Sequence, residues 1–331
     1  MPRISGFLNL IKPSGPTSHD LVVRLRRLLP GLRLGHLGTL DPAAGGVLPM
    51  ALGSATRLSA YAGWHPKTYR VELLLGLETT SGDLQGSMVS AALPGRVVNG
   101  NDIREVLRQF TGPIRQRPPR SSAVHVAGRR SYEWERAGFP VEPPERRVTV
   151  YEWRWLAVFP AGGGLLDPAK ESAIRLAPGD RLLFEVLCSA GTYVRALARD
   201  IGRVLGIGAT VSYLLRTAVG PFTLTNAIPV GRLGSDPSVA ESVVLAGLLP
   251  PATIWPPDRP RLRLAPDLVK RLRQGQAVRY EESRLAAAPA RAGHEPAGSG
   301  QEVLIEDGTG EAVAIGLALP GGFLRAKRIL T

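Results

Sequence analysis

Cysteine is almost missing from this sequence, since Cys188 is its single example among 331 residues. One thiol permits neither an intramolecular disulfide nor a cysteine-based metal site. The chain also lacks an apolar run of about 18 residues, the length that a membrane-spanning helix needs. Its N-terminus lacks the continuous apolar core and the small-residue cleavage site of a signal peptide. These absences predict a soluble, cytoplasmic protein.

Acidic residues are in short supply. The chain has 28 Asp and Glu against 41 Lys and Arg, which gives a formal net charge of +13. Such a surplus favours a polyanionic partner, because each neutralised phosphate releases condensed counterions. At 44% hydrophobic and 21% charged, the composition is that of an ordinary globular protein. The length predicts roughly two domains of about 150 residues each.

Hydrophobic periodicity and turn residues predict alternating strands and helices in the first 224 residues. Ser18 is predicted to cap a helix over 19–29, and Asn101 a helix that ends at Phe110. A third helix is predicted over 193–205. The predicted strands are 7–11, 69–75, 148–158, 181–188 and 221–224, while 35–58 is predicted to be glycine-rich and irregular.

Two segments interrupt this pattern. Residues 113–147 are rich in proline and arginine, and 104–147 carry ten Arg and five Glu, so a basic RNA-contacting insertion is predicted there. The Pro-rich stretch 251–260 is predicted to link a catalytic domain (1–250) to a C-terminal domain (261–331). Beyond it we expect a helix near 266–274, a mobile loop at 284–300 and three strands over 302–306, 312–318 and 323–330.

The densest signal is Gly35-His36-Leu37-Gly38-Thr39-Leu40-Asp41-Pro42, which continues through Gly45-Gly46-Val47-Leu48-Pro49. Glycines allow sharp turns and Pro42 fixes the backbone after the aspartate, so this loop could project one carboxylate from a rigid support. By itself, Asp-Pro is equally typical of an ordinary turn. The spacing of a phosphate-binding P-loop is absent.

This segment resembles the signature of the bacterial tRNA pseudouridine-55 synthases, the TruB family. Other parts of the chain resemble the family's further motifs, in the same order. They are Lys12-Pro13-Ser14-Gly15 with Thr17-Ser18, Tyr69-Arg70, Ser122-Ala123-Val124 with Gly128-Arg129-Arg130 and Tyr132-Glu133, Cys188 to Arg195, and Gly208-Ala209-Thr210-Val211 with Leu214 and Arg216-Thr217. Together they span about residues 6–224.

The resemblance implies an α+β pseudouridine-synthase fold, with a central mixed, mostly antiparallel sheet and a small C-terminal PUA-like β-domain. It implies an isomerase that converts the uridine at position 55, in the T-arm loop of tRNA, to pseudouridine. The reaction breaks the N1–C1′ bond and rejoins the base through C5, so no cofactor and no metal is expected. We expect a monomer that binds tRNA and needs neither a membrane nor a protein partner.

The resemblance also assigns roles to single residues. Asp41, Tyr69 and Arg195 are expected to be catalytic, with Asp41 as the catalytic carboxylate, which attacks C1′ or aids elimination from the sugar, and Arg195 as its ion-pair partner. Tyr69 would stack on the flipped uracil and assist proton removal from C5. His36 would enter the RNA loop, and Tyr193 and Leu214 would line the base pocket. The other residues expected to bind RNA are Lys12, Arg24, Arg27, Arg115, Arg117, Arg120 and Arg129.

The sequence departs from the family pattern in places. Thr79-Thr80-Ser81 stands where the family usually has Thr-Asp-Thr, and Gln85 replaces a later acidic residue. Ser121, His125 and Leu215 replace a usual tyrosine, a usual lysine and a common second basic residue. No proposed catalytic group is lost, but the RNA contacts of these loops are in question.

Three other functions agree with the same residues. A guide-RNA-dependent relative of the box H/ACA type would share the aspartate loop but act with partner proteins. A tRNA-binding or tRNA-folding protein would keep its function without Asp41. A basic scaffold for other polyanions would not prefer tRNA over duplex DNA.

Overall fold

The computed structural model describes residues 4–92, 95–169, 173–279 and 299–330. Its helices are α1 (Ser18–Leu28), α2 (Gly100–Gln109), α3 (Ser131–Arg136), α4 (Val194–Val204), α5 (Pro237–Ala246) and α6 (Pro266–Arg273). Four 3₁₀ segments cover Gly53–Trp64, Leu224–Asn226, Val230–Leu233 and Pro251–Ile254. Among these residues, no helix has both the length and the apolar character to cross a membrane.

Strands make up most of the remaining regular structure. They are β1 (Gly6–Lys12), β2 (Leu34–His36), β3 (Gly45–Leu52), β4 (Lys67–Leu75), β5 (Leu77–Thr79), β6 (Met88–Ala91), β7 (Val98–Asn99), β8 (Gly112–Gln116), β9 (His125–Val126), β10 (Arg129–Arg130), β11 (Arg146–Phe159), β12 (Arg175–Leu176), β13 (Arg181–Cys188), β14 (Ala209–Val219), β15 (Phe222–Thr223), β16 (Ile228–Pro229), β17 (Leu248–Leu249), β18 (Arg261–Arg263), β19 (Val278–Arg279), β20 (Glu302–Glu306), β21 (Ala312–Leu319) and β22 (Phe323–Ile329).

The central sheet has the strand order β16-β1-β3-β14-β4-β13-β11-β8, with β2, β15 and β17 paired at its sides. Only β1–β16 and β3–β14 are parallel among its described pairs, so the sheet is mixed and mostly antiparallel, as predicted. The parallel contact of β3 with β14 is short, joining Gly45 to Leu215 and Gly46 to Arg216. The chain before Gly45 therefore leaves the sheet beside β14, next to a cleft whose lining includes Leu214 of that strand, Asp41, Asp83 and Arg195.

Helix α1 packs on this sheet through the apolar face that its sequence predicted, since Leu21, Val22, Leu25 and Leu28 are buried. Its cap differs from the prediction. Thr17, not Ser18, accepts a hydrogen bond from the backbone of Asp20, whose carboxylate accepts from the backbone of Thr17 in turn. This reciprocal capping box satisfies two backbone donors at once, which a lone Ser18 cap would not do.

The cap of helix α2 also differs from the prediction, because its capping box is formed by Asn99 and Asp102 and does not use Asn101. The expected irregularity of 35–58 is wrong for 45–52, which form the buried strand β3. Strand β14 and helix α5 were not predicted. The expected loop at 284–300 lies outside the described residues except for its last two.

The basic segment begins and ends on the central sheet. Strand β8 pairs with the start of β11, with Ile114 opposite Val148 and Gln116 opposite Arg146. The chain thus leaves the sheet after Gln116 and returns at Arg146. Between them lie the hairpin β9–β10 and helix α3. The excursion is consequently anchored at both ends to one edge of the sheet.

A second sheet, with the order β18-β20-β21-β22-β19, forms the C-terminal part. It packs against the central part through an apolar cluster that joins Phe7 and Tyr61 to Ile315 and Leu330. Trp255, from the segment predicted to be a linker, is 2% exposed at the centre of this cluster. This part of the Pro-rich segment is therefore packed between the two sheets.

Gly46 allows β3 and β14 to meet. Its φ is +104°, and a Cβ there would lie 2.2 Å from the Arg216 carbonyl oxygen. We predict that Gly46→Ala lowers the free energy of unfolding by about 3 kcal/mol, through backbone strain and overpacking together. Gly31 also has positive φ (+79°) but nothing within 4 Å of its added Cβ. Gly31→Ala should cost only about 1 kcal/mol in the same denaturant titration. Equal losses would contradict the close approach.

Candidate active site

Asp41 lies in the turn between β2 and β3, at the mouth of the cleft. The residue before it is fixed by Ser18, which is 1% exposed. The Ser18 hydroxyl donates to the Leu40 carbonyl (3.1 Å) and accepts from the Leu40 amide (2.9 Å). Both backbone groups of Leu40 are therefore held by one buried side chain. The start of α1 thus sets the position from which Asp41 projects.

Lys12 fixes the residue after Asp41. Its ammonium donates to the carbonyls of Pro13 (2.8 Å), Pro16 (2.7 Å) and Pro42 (3.2 Å), and the side chain is fully buried. Burial lowers the pKa of Lys12 to about 8, while the nearby Asp41 charge opposes that shift. The sequence analysis predicted RNA binding by Lys12. In the structure its three donors are occupied by the protein's own carbonyls.

Arg195 holds the Asp41 carboxylate with two parallel hydrogen bonds. Its Nε donates to Oδ2 at 2.8 Å and its Nη2 to Oδ1 at 2.9 Å. The Arg195 side chain is 4% exposed and that of Asp41 is 34% exposed. Such a bidentate, charge-assisted pair fixes the carboxylate plane. The sequence-predicted partnership therefore has the expected geometry, with the acid still open to solvent.

Arg195 also contacts Ser81, Ser121 and Asp83, which the sequence did not predict as its partners. Its Nη1 donates to the Ser81 carbonyl and to the Ser121 hydroxyl, both at 2.7 Å. Asp83 places a second carboxylate oxygen 3.7 Å from its Nε. Ser121 and Ser81 are two of the positions that depart from the family pattern. The small side chain of Ser121 accepts directly from the guanidinium.

Tyr69 and Arg216 lie side by side behind the loop, opposite each other on β4 and β14. Arg216 is fully buried and donates to the carbonyls of Val47 (2.8 Å), Gly38 (3.0 Å) and Thr39 (3.3 Å). Burial raises the pKa of Tyr69 to about 12, and Arg216 opposes that shift. The sequence reasoning quoted Arg216 in a motif but gave it no role. Its contacts show that it ties both ends of the Asp41 turn to β14.

His36 ends β2 at the other side of the turn and is half-buried. Its Nδ1 accepts from the Gly38 amide at 3.4 Å. Burial and, next, the Arg216 charge lower the pKa of His36. The ring is therefore neutral near pH 7, with Nε2 carrying the hydrogen as a donor.

Tyr193 and Leu214 lie on different walls of the cleft. Gln116 fixes the backbone of Tyr193, accepting from its amide (2.8 Å) and donating to its carbonyl (3.0 Å). Arg146 lies over the Tyr193 ring, 5.6 Å from the centroid. Leu214 is buried on β14 and, with Asp41, Asp83 and Arg195, lines one pocket. The lining of that pocket does not include Tyr69, Tyr193 or His36.

The predicted arginines fall into two groups. Arg24 is half-buried and donates to the Gly234 carbonyl at 3.0 Å, whereas Arg27 is exposed on α1. Four others are exposed: Arg115 on β8, and Arg117, Arg120 and Arg129 on the excursion that follows it. None of the four is brought into contact with Asp41.

Glutamates already contact two of the exposed arginines. Arg117 pairs with Glu145 at 3.2 Å, and Arg120 with Glu142 at 2.6 Å. Arg129 instead stacks on Trp134, 5.2 Å from the ring centroid. Arg115 lies opposite another arginine, Arg147, on the paired strand. Arg117 and Arg120 thus already have carboxylate partners, whereas the residue opposite Arg115 is another cation.

Among the described residues, no group of three or more His, Cys, Asp or Glu side chains is placed to hold a metal ion. The pair of carboxylates at Arg195 consists of Asp41 and Asp83, and a cation already lies between them. What the arrangement offers chemically is one ionised carboxylate, held in a fixed plane, reachable from solvent and flanked by aromatic side chains.

Comparison with known proteins matches this chain to two family models and to bacterial relatives. Residues 26–194 match the family model of the TruB family pseudouridylate synthase N-terminal domain, and 195–243 match that of the tRNA pseudouridylate synthase B C-terminal domain. The chain is 45% identical over 249 residues to tRNA pseudouridine synthase B of Moorella thermoacetica, covering 75% of each chain. It is 40% identical over 275 residues to the protein of that name in Symbiobacterium thermophilum, covering 83% of each.

Solved structures extend the likeness to nearly the whole fold. One is an H/ACA RNP bound to a substrate RNA containing 2′-deoxyuridine, with a TM-score of 0.65 and 25% identity. The other is a Cbf5-Nop10-Gar1 complex, with the same TM-score and 26% identity. Each match covers 98% of this chain and 85% of the other. The C-terminal sheet lies within these matches, although it lies beyond both family models.

Arg195 supplies the positive charge that two carboxylates share. We predict that Arg195→Ala lowers the free energy of unfolding by about 3 kcal/mol, since removing one partner of a buried pair typically costs ~3–5 kcal/mol and Asp41 still reaches solvent. Arg203→Ala is the matched control, because Arg203 lies on the same helix in an exposed pair with Glu78. It should cost below about 1 kcal/mol. Similar losses for both variants in denaturant titrations would contradict a buried anchoring role for Arg195.

Proposed function

This chain belongs to the TruB family of pseudouridylate synthases, and we propose that it converts the uridine at position 55, in the T-arm loop of tRNA, to pseudouridine with Asp41 as its catalytic carboxylate. The observation that carries this proposal is the bidentate Arg195–Asp41 pair at a solvent-open cleft. The bacterial relatives named tRNA pseudouridine synthase B support tRNA as the substrate. The net charge of +13 agrees with a polyanionic partner.

Isomerisation needs an ionised carboxylate but no added group. The N1–C1′ bond breaks, the uracil turns, a C5–C1′ bond forms, C5 loses a proton and N1 gains one. Attack of Asp41 on C1′ and elimination assisted by Asp41 both require the charged form. Arg195 holds the carboxylate in one orientation through two hydrogen bonds, so its geometry is set before the sugar arrives. No cofactor enters this scheme.

The base must leave the RNA stack before it can react, at a cost of a few kcal/mol. Tyr69 and Tyr193 would offer aromatic surfaces to the flipped uracil, and stacking of this kind contributes ~1–3 kcal/mol. Leu214 would complete the apolar side of the pocket. His36 would occupy the space that the base vacates, because a neutral ring can be buried there without the free-energy cost of desolvating a charge.

Tyr69 is better suited to stacking than to proton removal. Its hydroxyl has a pKa near 12 because the side chain is buried, so it is protonated at neutral pH. A protonated phenol cannot accept the C5 proton. Removal of that proton by Tyr69 would first require the hydroxyl to give up its own proton to water, since the neighbouring Arg216 guanidinium is already protonated and has no acceptor atom. We therefore assign Tyr69 to holding the uracil.

A guided enzyme of the H/ACA type is the second candidate. It is favoured by the two solved relatives, whose TM-scores are 0.65. The identities to these structures, 25% and 26%, are well below the 45% and 40% to the bacterial relatives. We therefore propose a stand-alone, monomeric enzyme that meets tRNA in the cytoplasm. Division at 251–260 into a catalytic and a C-terminal RNA-binding domain stays a prediction.

The first experiment incubates an unmodified tRNA transcript with the full-length protein, without cofactor or guide RNA. We expect pseudouridine at the one T-loop uridine, and none with Asp41→Asn, which keeps the size of the side chain but not its charge. Mapping of pseudouridine along the transcript is the readout. Binding without modification by the wild type would contradict the proposal and favour the guided enzyme, which partner proteins and guide RNA should then activate. Full modification by Asp41→Asn would remove Asp41 from the reaction.

The exposed arginines of β8 and of the excursion should supply affinity, not sequence choice. We predict that Arg115→Gln weakens tRNA binding and reduces the slope of log affinity against log salt by about 0.7–0.9, one phosphate contact. Arg117→Gln and Arg120→Gln should change the slope less, because these side chains already have glutamate partners. Glu145→Gln is the matched control and should strengthen binding by releasing Arg117. Unchanged slopes in all four variants would show that these arginines face solvent in the complex.

A further inference from the structure

Lys67 has a position that the proposed reaction does not use. It is half-buried at the start of β4, two residues before Tyr69. Its ammonium nitrogen lies 3.4 Å from the point where a Cβ on Gly38 would stand, and Arg216 Nη1 lies 3.7 Å from the same point. Two cationic groups therefore approach Gly38 beneath the turn that carries His36 and Asp41.

The surroundings of Lys67 contain no anion to balance its charge. Burial is the main cause that lowers its pKa to about 8, and the Arg216 charge acts in the same direction. The opposing influence comes from Cys188, whose own pKa is raised by burial to about 11, so that its thiol is neutral. Within the described ranges, Lys67 has no carboxylate partner and no carbonyl acceptor for its ammonium.

The other buried cations of the site differ from Lys67 in this respect. Lys12 donates to three carbonyls, Arg216 donates to three carbonyls and Arg195 holds a carboxylate. A partly buried cation without such partners costs folding free energy. A buried lysine with a purely structural role would be expected to have carbonyl or carboxylate acceptors. An anion supplied by the substrate would remove the cost in the complex.

The reacting carboxylate is not that anion. The Asp41 charge shifts the pKa of Lys12, Tyr69 and Arg216, but that of Lys67 responds to Arg216 and Cys188 instead. Arg216, not Asp41, is the charged side chain beside Lys67. A role in binding the RNA backbone therefore fits Lys67 better than a role at the reacting carboxylate.

The position of His36 indicates where the RNA backbone would lie. The Gly38 amide donates to His36 Nδ1, which leaves Nε2 to donate towards the RNA. Gly38 thus lies next to both residues: its amide donates to His36, and a Cβ on it would stand 3.4 Å from the Lys67 ammonium nitrogen. We propose that Lys67 binds a phosphodiester of the RNA strand directly beside the target nucleotide, with Gly38 as the glycine that leaves room for it. This inference rests on the proposed function, because it assumes that a flipped nucleotide occupies the cleft.

Lys67→Met tests the proposal, since methionine keeps an unbranched stem and removes the charge. The full-length protein is titrated with T-arm RNA hairpins in which one flanking linkage at a time is an uncharged methylphosphonate. For the wild type, one linkage should weaken binding more than its neighbours. For Lys67→Met, affinity should fall, the salt slope should shrink by about 0.7 and that linkage should no longer matter. The thermal midpoint should stay unchanged or rise, because an unpaired charge has been removed.

Lys270→Met is the matched control, because Lys270 is exposed on α6. It should leave the linkage dependence of the wild type intact. Lys67→Gln provides a second neutral variant if the methionine protein does not fold. Equal sensitivity of wild type and variant to every linkage would overturn the proposal, as would a lower midpoint with unchanged binding. Because binding is the readout, a wild type that binds but forms no pseudouridine would contradict the proposed function without deciding the role of Lys67.

Discussion

The site depends on the ion pair between Arg195 and Asp41. A guanidinium that is 4% exposed cannot remain without a partner, and a catalytic carboxylate cannot be closed off from substrate. The structure meets both demands by burying the cation and leaving the acid at the surface. Arg195 gains further acceptors from Ser81 and Ser121, which come from two different loops. One side chain thus fixes α4, the Asp41 turn and the start of the basic excursion relative to each other.

The turn itself is held by three buried side chains. Ser18 fixes Leu40, Lys12 fixes Pro42, and Arg216 fixes Gly38 and Thr39. All three side chains are buried, so water does not compete for these hydrogen bonds and they persist. An active-site loop built in this way loses little conformational entropy when RNA binds. Rigidity of the carboxylate is consequently a property of the fold before substrate arrives.

Some elements of this structure could be predicted from the sequence more reliably than others. The apolar face of α1 and the alternating strands β4 and β13 were predictable, because their periodicity reflects burial on one face. The caps at Thr17 and Asn99 were missed by one or two residues, since several neighbouring residues could cap and only the reciprocal acid decides. Strand β3 was missed because its glycines and Pro49 resemble a loop, although all but its first residue are buried.

Differences in burial also explain why the sequence could not distinguish the roles of the individual cationic side chains. Lys12, Lys67 and Arg115 are all cations in a strongly basic chain, and composition treats them alike. The structure gives Lys12 three carbonyl partners, leaves Lys67 half-buried beside another cation and exposes Arg115 opposite Arg147. A buried, satisfied cation shapes the protein, an exposed one raises affinity for any polyanion, and a confined one without a partner can select a single phosphate. Binding and catalysis in this cleft therefore depend less on how much positive charge the chain carries than on how deeply each charge lies.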